Sequence, residues 1–562
     1  MASPPPAAER DTAVQPLAPA RPRPFAGLLD RRETALAAAC LAVVGSLVVL
    51  LSRLVPDVSQ KPLFGDEVLA GLTALHSLPA MLDIVISDRG GAPLHFVLAH
   101  AALGVDGSPE ALRWLSVVFA LAAVPLCFDL GRRLGGLGAG ALAAIVAATS
   151  SMLAVYGTVG RMYALLAFVS ALAIDLFVRA LQRRTAGAAL AAAAAAWLLP
   201  AAHPYGIVIV AIEAAVALAV WRGRSSLRPV IPILVLAAAT TPFVLADVRL
   251  SERFGVGAFE PESVAPADVA AEHLGEALAA FAGGAGALAL VFFGLAVAGL
   301  FVTLRRTPAF AAFALAVLAA IPILLVVARA EDSLVHLLSP RHLTFALPVW
   351  AALVGVGTAR LVRDLPRPLA AMGLAGIAAA ALFAPSGITD PRAQENATAA
   401  SLSGPAGWVR EEADPGAVLF PYSPVYLSAV PATREATPIP RSGRPLAMVR
   451  RADYPVPSVV VALPLGETHV DEPRLVAKLG PRSSAGVFPD WVLTKVQGPY
   501  AGEADVLAAA RDALVDLRGS TRRRSYLFRR ELRATLVTVC TALTELGEPC
   551  SRRVLPPTRR AR

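Results

Sequence analysis

Long apolar runs separated by small clusters of arginine dominate this 562-residue sequence, and they restrict its fold more than any motif does. A run of about 18 or more apolar residues has no face to offer water and reads as a helix crossing a ~30 Å hydrocarbon core. Such spans are read at 34–54, 114–130, 137–156, 162–178, 186–202, 206–221, 230–246, 287–304, 309–328, 343–359 and 369–384, about eleven in all. Charged residues make up 17% of the chain, against about 25% in an ordinary soluble protein. In a soluble protein the formal net charge of +9 would raise nucleic-acid binding. Here most of the arginines sit in short connections between spans, the positive-inside pattern, and no nucleic-acid partner is expected.

The segment 93–105 is apolar but too short to cross as a helix. If it stays on one side, alternate connections are basic: Arg132 and Arg133; Arg179, Arg183 and Arg184; Arg222, Arg224 and Arg228; Arg305 and Arg306; Arg360, Arg363 and Arg367. All then fall on the side of the Pro- and Arg-rich tail 1–30, which reads as disordered and cytoplasmic. The expected protein is a multi-pass cell-membrane protein with its N-terminus inside. Residues 31–386 form the helical membrane domain, with a first external loop at 56–113, and 387–562 lie outside.

That loop opens on Asp66 and Glu67. Val68, Leu69, Leu72, Leu75 and Leu78 follow as the apolar stripe of a short amphipathic helix, expected to hold the carboxylates at the membrane surface. A carboxylate there can take a proton from a hydroxyl or ligate a divalent cation; an acidic residue at a helix start can equally be a cap. Arg161, His203, Arg341 and His342 fall at external span ends, where a guanidinium is costly unless it is paired or snorkels to water. Asp175 and Glu213 lie inside predicted spans, toward the opposite side, and are expected to bond between helices.

Six motifs occur in a fixed order: Asp66-Glu67; GAPLHFVLAH at 91–100; LGRRLGG at 130–136; VGRMYALL at 159–166; HPYG at 203–206; and SPRHLTFALP at 339–348. In that order they resemble the C-type glycosyltransferases near glycosyltransferase family 39 and the protein-mannosyl and aminoarabinose transferases. The resemblance implies a polytopic helical bundle that moves a sugar from a polyprenyl phosphate to a hydroxyl of a glycan, lipid or protein acceptor on the external face, with inversion. It further implies Asp66 and Glu67 as catalytic carboxylates, with a possible divalent cation between them. Asp88, Arg89, Arg161, Tyr163, His203, Arg341 and His342 are then the substrate-binding candidates, with the arginines on the donor phosphate, where a planar fork donates two bonds at once. Two positions depart from the family pattern. Gly91-Ala92-Pro93 replaces His-Pro-Pro, and Val159 stands where the family often has an acid, so Asp88 or Glu67 is the substitute for a second carboxylate.

After residue 385 the composition turns mixed and Pro-rich. Strands are read at 417–422 and 458–465, a weaker one within 486–496, and helices at 504–517 and 523–546, an α/β domain whose expected role is to bind the acceptor or cover the site. Cys540 and Cys550, with Gly547 and Pro549 between them, are expected to pair outside the cytoplasm, while Cys40 and Cys127 sit in apolar runs. A lipid-linked-sugar transporter would be expected to show internal repeats and mid-membrane charges, and no clear repeat is present. A non-catalytic glycolipid-binding protein of the envelope is the other alternative.

Overall fold

The computed structural model describes residues 31–86, 93–221, 286–330, 340–366, 390–394, 398–440, 445–481, 483–548 and 550, with short pieces of 235–282 and 368–388. The tail 1–30, Asp88, Arg89 and most of the expected spans 230–246 and 369–384 lie outside the described residues.

The membrane domain begins with α1 (Arg31–Gln60), longer than the sequence reading because its polar end continues past Pro56. Three short helices of the first loop follow: α2 (Gly65–Ala74), α3 (Leu78–Ile84) and α4 (Pro93–Val105). Next come α5 (Pro109–Gly135), α6 (Leu137–Thr149), α7 (Ser151–Tyr156), α8 (Tyr163–Arg183), α9 (Ala186–Ala202), α10 (Gly206–Trp221), α11 (Ala287–Arg306), α12 (Pro308–Ala330) and α13 (Leu347–Arg363). Five candidate spans, the helices beginning at Glu33, Pro109, Tyr163, Ala287 and Arg341, are long and apolar enough to cross a membrane, and shorter apolar helices pack among them. This is a multi-pass membrane protein. The expected span 137–156 is broken: Ser150 leaves the helix and its Oγ accepts the Met152 N–H at 3.1 Å, capping α7. The 13 residues of α4 reach about 20 Å at 1.5 Å per residue, less than the hydrocarbon core.

Without a hydrophobic drive between apolar helices in lipid, close approach of backbones holds the bundle. Gly299 of α11 faces the Leu353 carbonyl and Gly357 of α13 faces that of Leu295; a Cβ on either would collide with that backbone. Charges gather at one end. Asp175 pairs with Arg133 and Arg179 at 2.8 and 2.7 Å, and Asp129 pairs with Arg132, Arg133 and Arg179. The interhelical bond expected of Asp175 is therefore an ion-pair network. Glu213 is buried in α10 and its Oε1 finds no hydrogen-bond partner among the described residues.

In the C-terminal domain, β1 (Val418–Phe420), β2 (Thr437–Pro438), β3 (Val456–Pro464), β5 (Ser484–Val487) and β6 (Trp491–Tyr500) form one sheet in the order β2-β1-β3-β6-β5. The β1 pairings are parallel; β6 runs antiparallel to β3 and β5. A small ribbon pairs β4 (His469–Val470) with β7 (Thr521–Arg522). The weak third strand of the sequence reading is a hairpin, β5 and β6. The Val-rich run of β3 does not alternate with polar residues because both faces are covered. Val459, Val461 and Leu463 pack under α14 (Glu503–Gly519) and α15 (Tyr526–Glu545). Val460 and Ala462 pack on the other face with Tyr426, Leu427 and the first-loop residues Val68, Leu72 and Leu75. The helix expected on the membrane surface is thus buried: α2 packs between α4 and the C-terminal domain, because its stripe finds a protein face to bury against. Leu78 alone of that stripe is largely exposed. Cys540 and Cys550 form the expected disulfide, with Cα atoms 5.4 Å apart.

Candidate active site

The first loop, the turn 157–162 between α7 and α8, the His203–Tyr205 turn, and a 3₁₀ helix at Pro340–Ala346 converge at the end of the bundle that faces the C-terminal domain. Asp66 sits in the first turn of α2, where the helix dipole favours an acid. Its Oδ2 lies 3.4 Å from Arg341 Nη1 and 3.5 Å from the Tyr163 hydroxyl. Both members of the Asp66–Arg341 pair keep access to solvent, with side chains 37% and 27% exposed. The Arg341 guanidinium stands 6.0 Å from the Phe64 ring centre and 5.9 Å from that of Tyr163. Thr344 Oγ1 donates to the Tyr163 carbonyl at 3.2 Å and ties the 3₁₀ helix to the start of α8.

Arg161 reaches the same place from the turn, close enough for its charge to act on Tyr163 and His203. Its Nε and Nη1 are buried without a hydrogen-bond partner, and among the described residues no carboxylate pairs with it. A guanidinium so placed lacks an anion. The rings close the wall. Tyr205 stacks on His342 at 5.3 Å, His203 lies 5.5 Å from His342, and Tyr163 is 6.0 Å from His342 and 6.2 Å from His203. Burial, then the charges of Arg161 and Arg341, push His203 down to about 3, so its ring is neutral. Its Nδ1 accepts the Tyr205 N–H at 3.1 Å, which puts the ring proton on Nε2. His95 is buried nearby.

Glu67 is a correction to the sequence reading. It turns away from Asp66 into the protein, 1% exposed. Its Oε1 accepts Arg113 Nε at 3.0 Å and the Gly160 N–H at 2.6 Å; its Oε2 accepts Arg113 Nη2 at 2.8 Å and the Phe64 N–H at 2.9 Å. Four bonds use both oxygens and hold Glu67 in the protein interior. No group of three or more His, Cys, Asp or Glu that could hold a metal occurs among the described residues. Gly160 permits the close approach: a Cβ there would stand 2.8 Å from Leu112 Cβ and 3.3 Å from Glu67 Oε1.

Two residues that matter here escape the sequence reading. Arg113 also donates to the carbonyls of Val58, Lys61 and Pro62, and so fixes the loop leading to Asp66. Its place at a span edge reads as an ordinary snorkelling arginine. Arg392 carries no sequence signal at all, lying in a Pro-rich stretch after the last span.

No protein-family model matches this chain, and no curated protein matches it. Among solved structures, it is similar to ArnT from Cupriavidus metallidurans bound to undecaprenyl phosphate, with a TM-score of 0.54 and 14% identity over 83% of this chain and 99% of that one. The oligosaccharyltransferase AglB from Archaeoglobus fulgidus, in complex with an inhibitory peptide and a dolichol-phosphate, matches at a TM-score of 0.44 and 14% identity over 77% and 69% of the two chains. The arabinofuranosyltransferase AftD from Mycobacteria matches at 0.46 and 16% over 84% and 40%. The likeness to ArnT spans nearly the whole of that protein and is a likeness of fold. The fold is that of ArnT, a polytopic helical bundle of the kind the six motifs imply.

Proposed function

We propose that this protein transfers a sugar from a polyprenyl-phosphate donor to a hydroxyl of a glycan, lipid or protein acceptor on the external face of the cell membrane. The observation that carries this reading is a carboxylate, Asp66, sharing one solvent-reachable site with two guanidiniums, of which Arg161 has no carboxylate partner among the described residues. A donor phosphate supplies the missing anion. Arg341 can then exchange Asp66 for phosphate, because its contact with Asp66 is long and partly exposed and therefore weak. Released from Arg341, Asp66 takes the proton of the acceptor hydroxyl. The hydroxyl oxygen bonds to the anomeric carbon, the bond from that carbon to the phosphate oxygen breaks, and its electron pair leaves on the polyprenyl phosphate. One displacement inverts the anomeric centre. Arg161 and Arg341 stabilise the charge as it develops on the phosphate. The Tyr205–His342 stack and the neutral His203, an Nε2–H donor, offer an aromatic wall and a hydrogen bond to the sugar.

Turnover and donor binding separate these roles. Asp66→Asn keeps the shape and removes the base, so it should lower kcat by about 10²–10⁴ while donor affinity stays within roughly two-fold. Arg341→Ala should weaken donor binding as well. Asp66→Asn with wild-type turnover would overturn the assignment.

A further inference from the structure

We infer that Arg392 is a positioning residue for Arg161, inserted from the segment that leads into the C-terminal domain. The inference rests on the reading of Arg161 as a phosphate ligand. Arg392 has no exposed surface, in a segment that joins two parts of the chain. Its Nε and Nη2 donate to Asp390 at 2.9 and 3.0 Å, and its Nη2 also faces Asp57 Oδ2, at the end of α1, at 3.4 Å. Its Nη1 donates to Thr158 Oγ1 at 3.0 Å and approaches the Thr158 carbonyl at 3.5 Å. Lys61 closes the cluster, 3.4 Å from Asp390. Two carboxylates thus balance two cations, and the planar fork of arginine bonds three chain segments at once, as a lysine could not.

Thr158 lies in the turn that carries Arg161. The rest of that turn is held by Glu67, through the Gly160 N–H, and by Ser116 Oγ, which donates to the Val159 carbonyl at 2.7 Å. Of these three clamps, Arg392 supplies the one that follows the membrane helices in the chain. Asp66 is fixed separately, on α2. Loosening the Thr158 clamp should therefore displace Arg161 and weaken phosphate binding while leaving the base in place.

The test is titration of undecaprenyl phosphate into the full chain in lipid nanodiscs, with hydrogen exchange followed in parallel. Thr158→Val removes the acceptor hydroxyl with little change of shape and keeps the test alive should Arg392→Gln not fold. Thr158→Val and Arg392→Lys should each raise the Kd of the folded protein about ten-fold, the worth of one buried hydrogen bond. Exchange in 157–163 should quicken while strand 456–464 is unchanged. A merely structural role would lower the amount of folded protein and leave its Kd alone. Wild-type Kd in both folded variants, with Arg161→Ala weakened, overturns this inference and spares the proposed function. Wild-type Kd in Arg161→Ala overturns the phosphate reading, and this inference with it.

Discussion

Asp66 and Glu67 are neighbours in sequence with opposite fates. Asp66 faces solvent and a movable arginine; Glu67 caps α2 and neutralises a buried Arg113. The sequence does not separate them, because the partner that claims Glu67 lies 46 residues on and is recognisable only once the loop has closed. Removing one member of a buried pair leaves the other uncompensated, at a cost of about 3–5 kcal/mol. Glu67→Gln should therefore lower the thermal unfolding midpoint in detergent, whereas Asp66→Asn should leave it near wild type. Equal midpoints for the two variants would contradict this division of labour. Arg161, Tyr163, His203, Arg341 and His342, by contrast, are legible from their places at span ends and in the motifs, and the fold brings them together with Asp66.

At the scale of elements, α2 shows where reading by pattern succeeds and where it stops. Its stripe at Val68, Leu72 and Leu75 foretells an amphipathic helix, but an apolar stripe does not say whether lipid or protein covers it. Here the C-terminal domain does, through Leu427 of the short helix Pro424–Ser428, in one core with the Val460 face of β3. That joint also holds His76, whose Nε2 is buried without a partner. Burial, then the charge of Arg451, holds its ring down at about 4. The unfolded ring titrates near 6.5, so the folded state binds fewer protons, and stability present above pH 6.5 is lost as pH falls towards 4. The loss should reach roughly 2 kcal/mol by pH 5. Unfolding midpoints measured from pH 7.5 to 5 should fall in the wild type and fall less in His76→Gln; parallel curves would remove His76 from this account.

For the whole molecule, the apolar runs and the ordered motifs make the bundle and its family resemblance legible. The break at Ser150, the hairpin of β5 and β6, and the anchoring of the C-terminal domain through Arg392 depend on contacts far apart in sequence and leave no local pattern. The charge bias predicts that this domain is external. A cysteine at Tyr526, 73% exposed, should react with an impermeant maleimide from outside the cell, and protection there with labelling only after lysis would reverse the orientation. The central claim is that a lipid-linked phosphate is bound between Arg161 and Arg341 beside Asp66. A cryo-electron-microscopy structure of the full chain with undecaprenyl phosphate tests it most directly. The account predicts phosphate density within hydrogen-bonding distance of both guanidiniums, with Arg341 drawn off Asp66. Phosphate density elsewhere on the protein, with the Arg341–Asp66 contact intact, would contradict it.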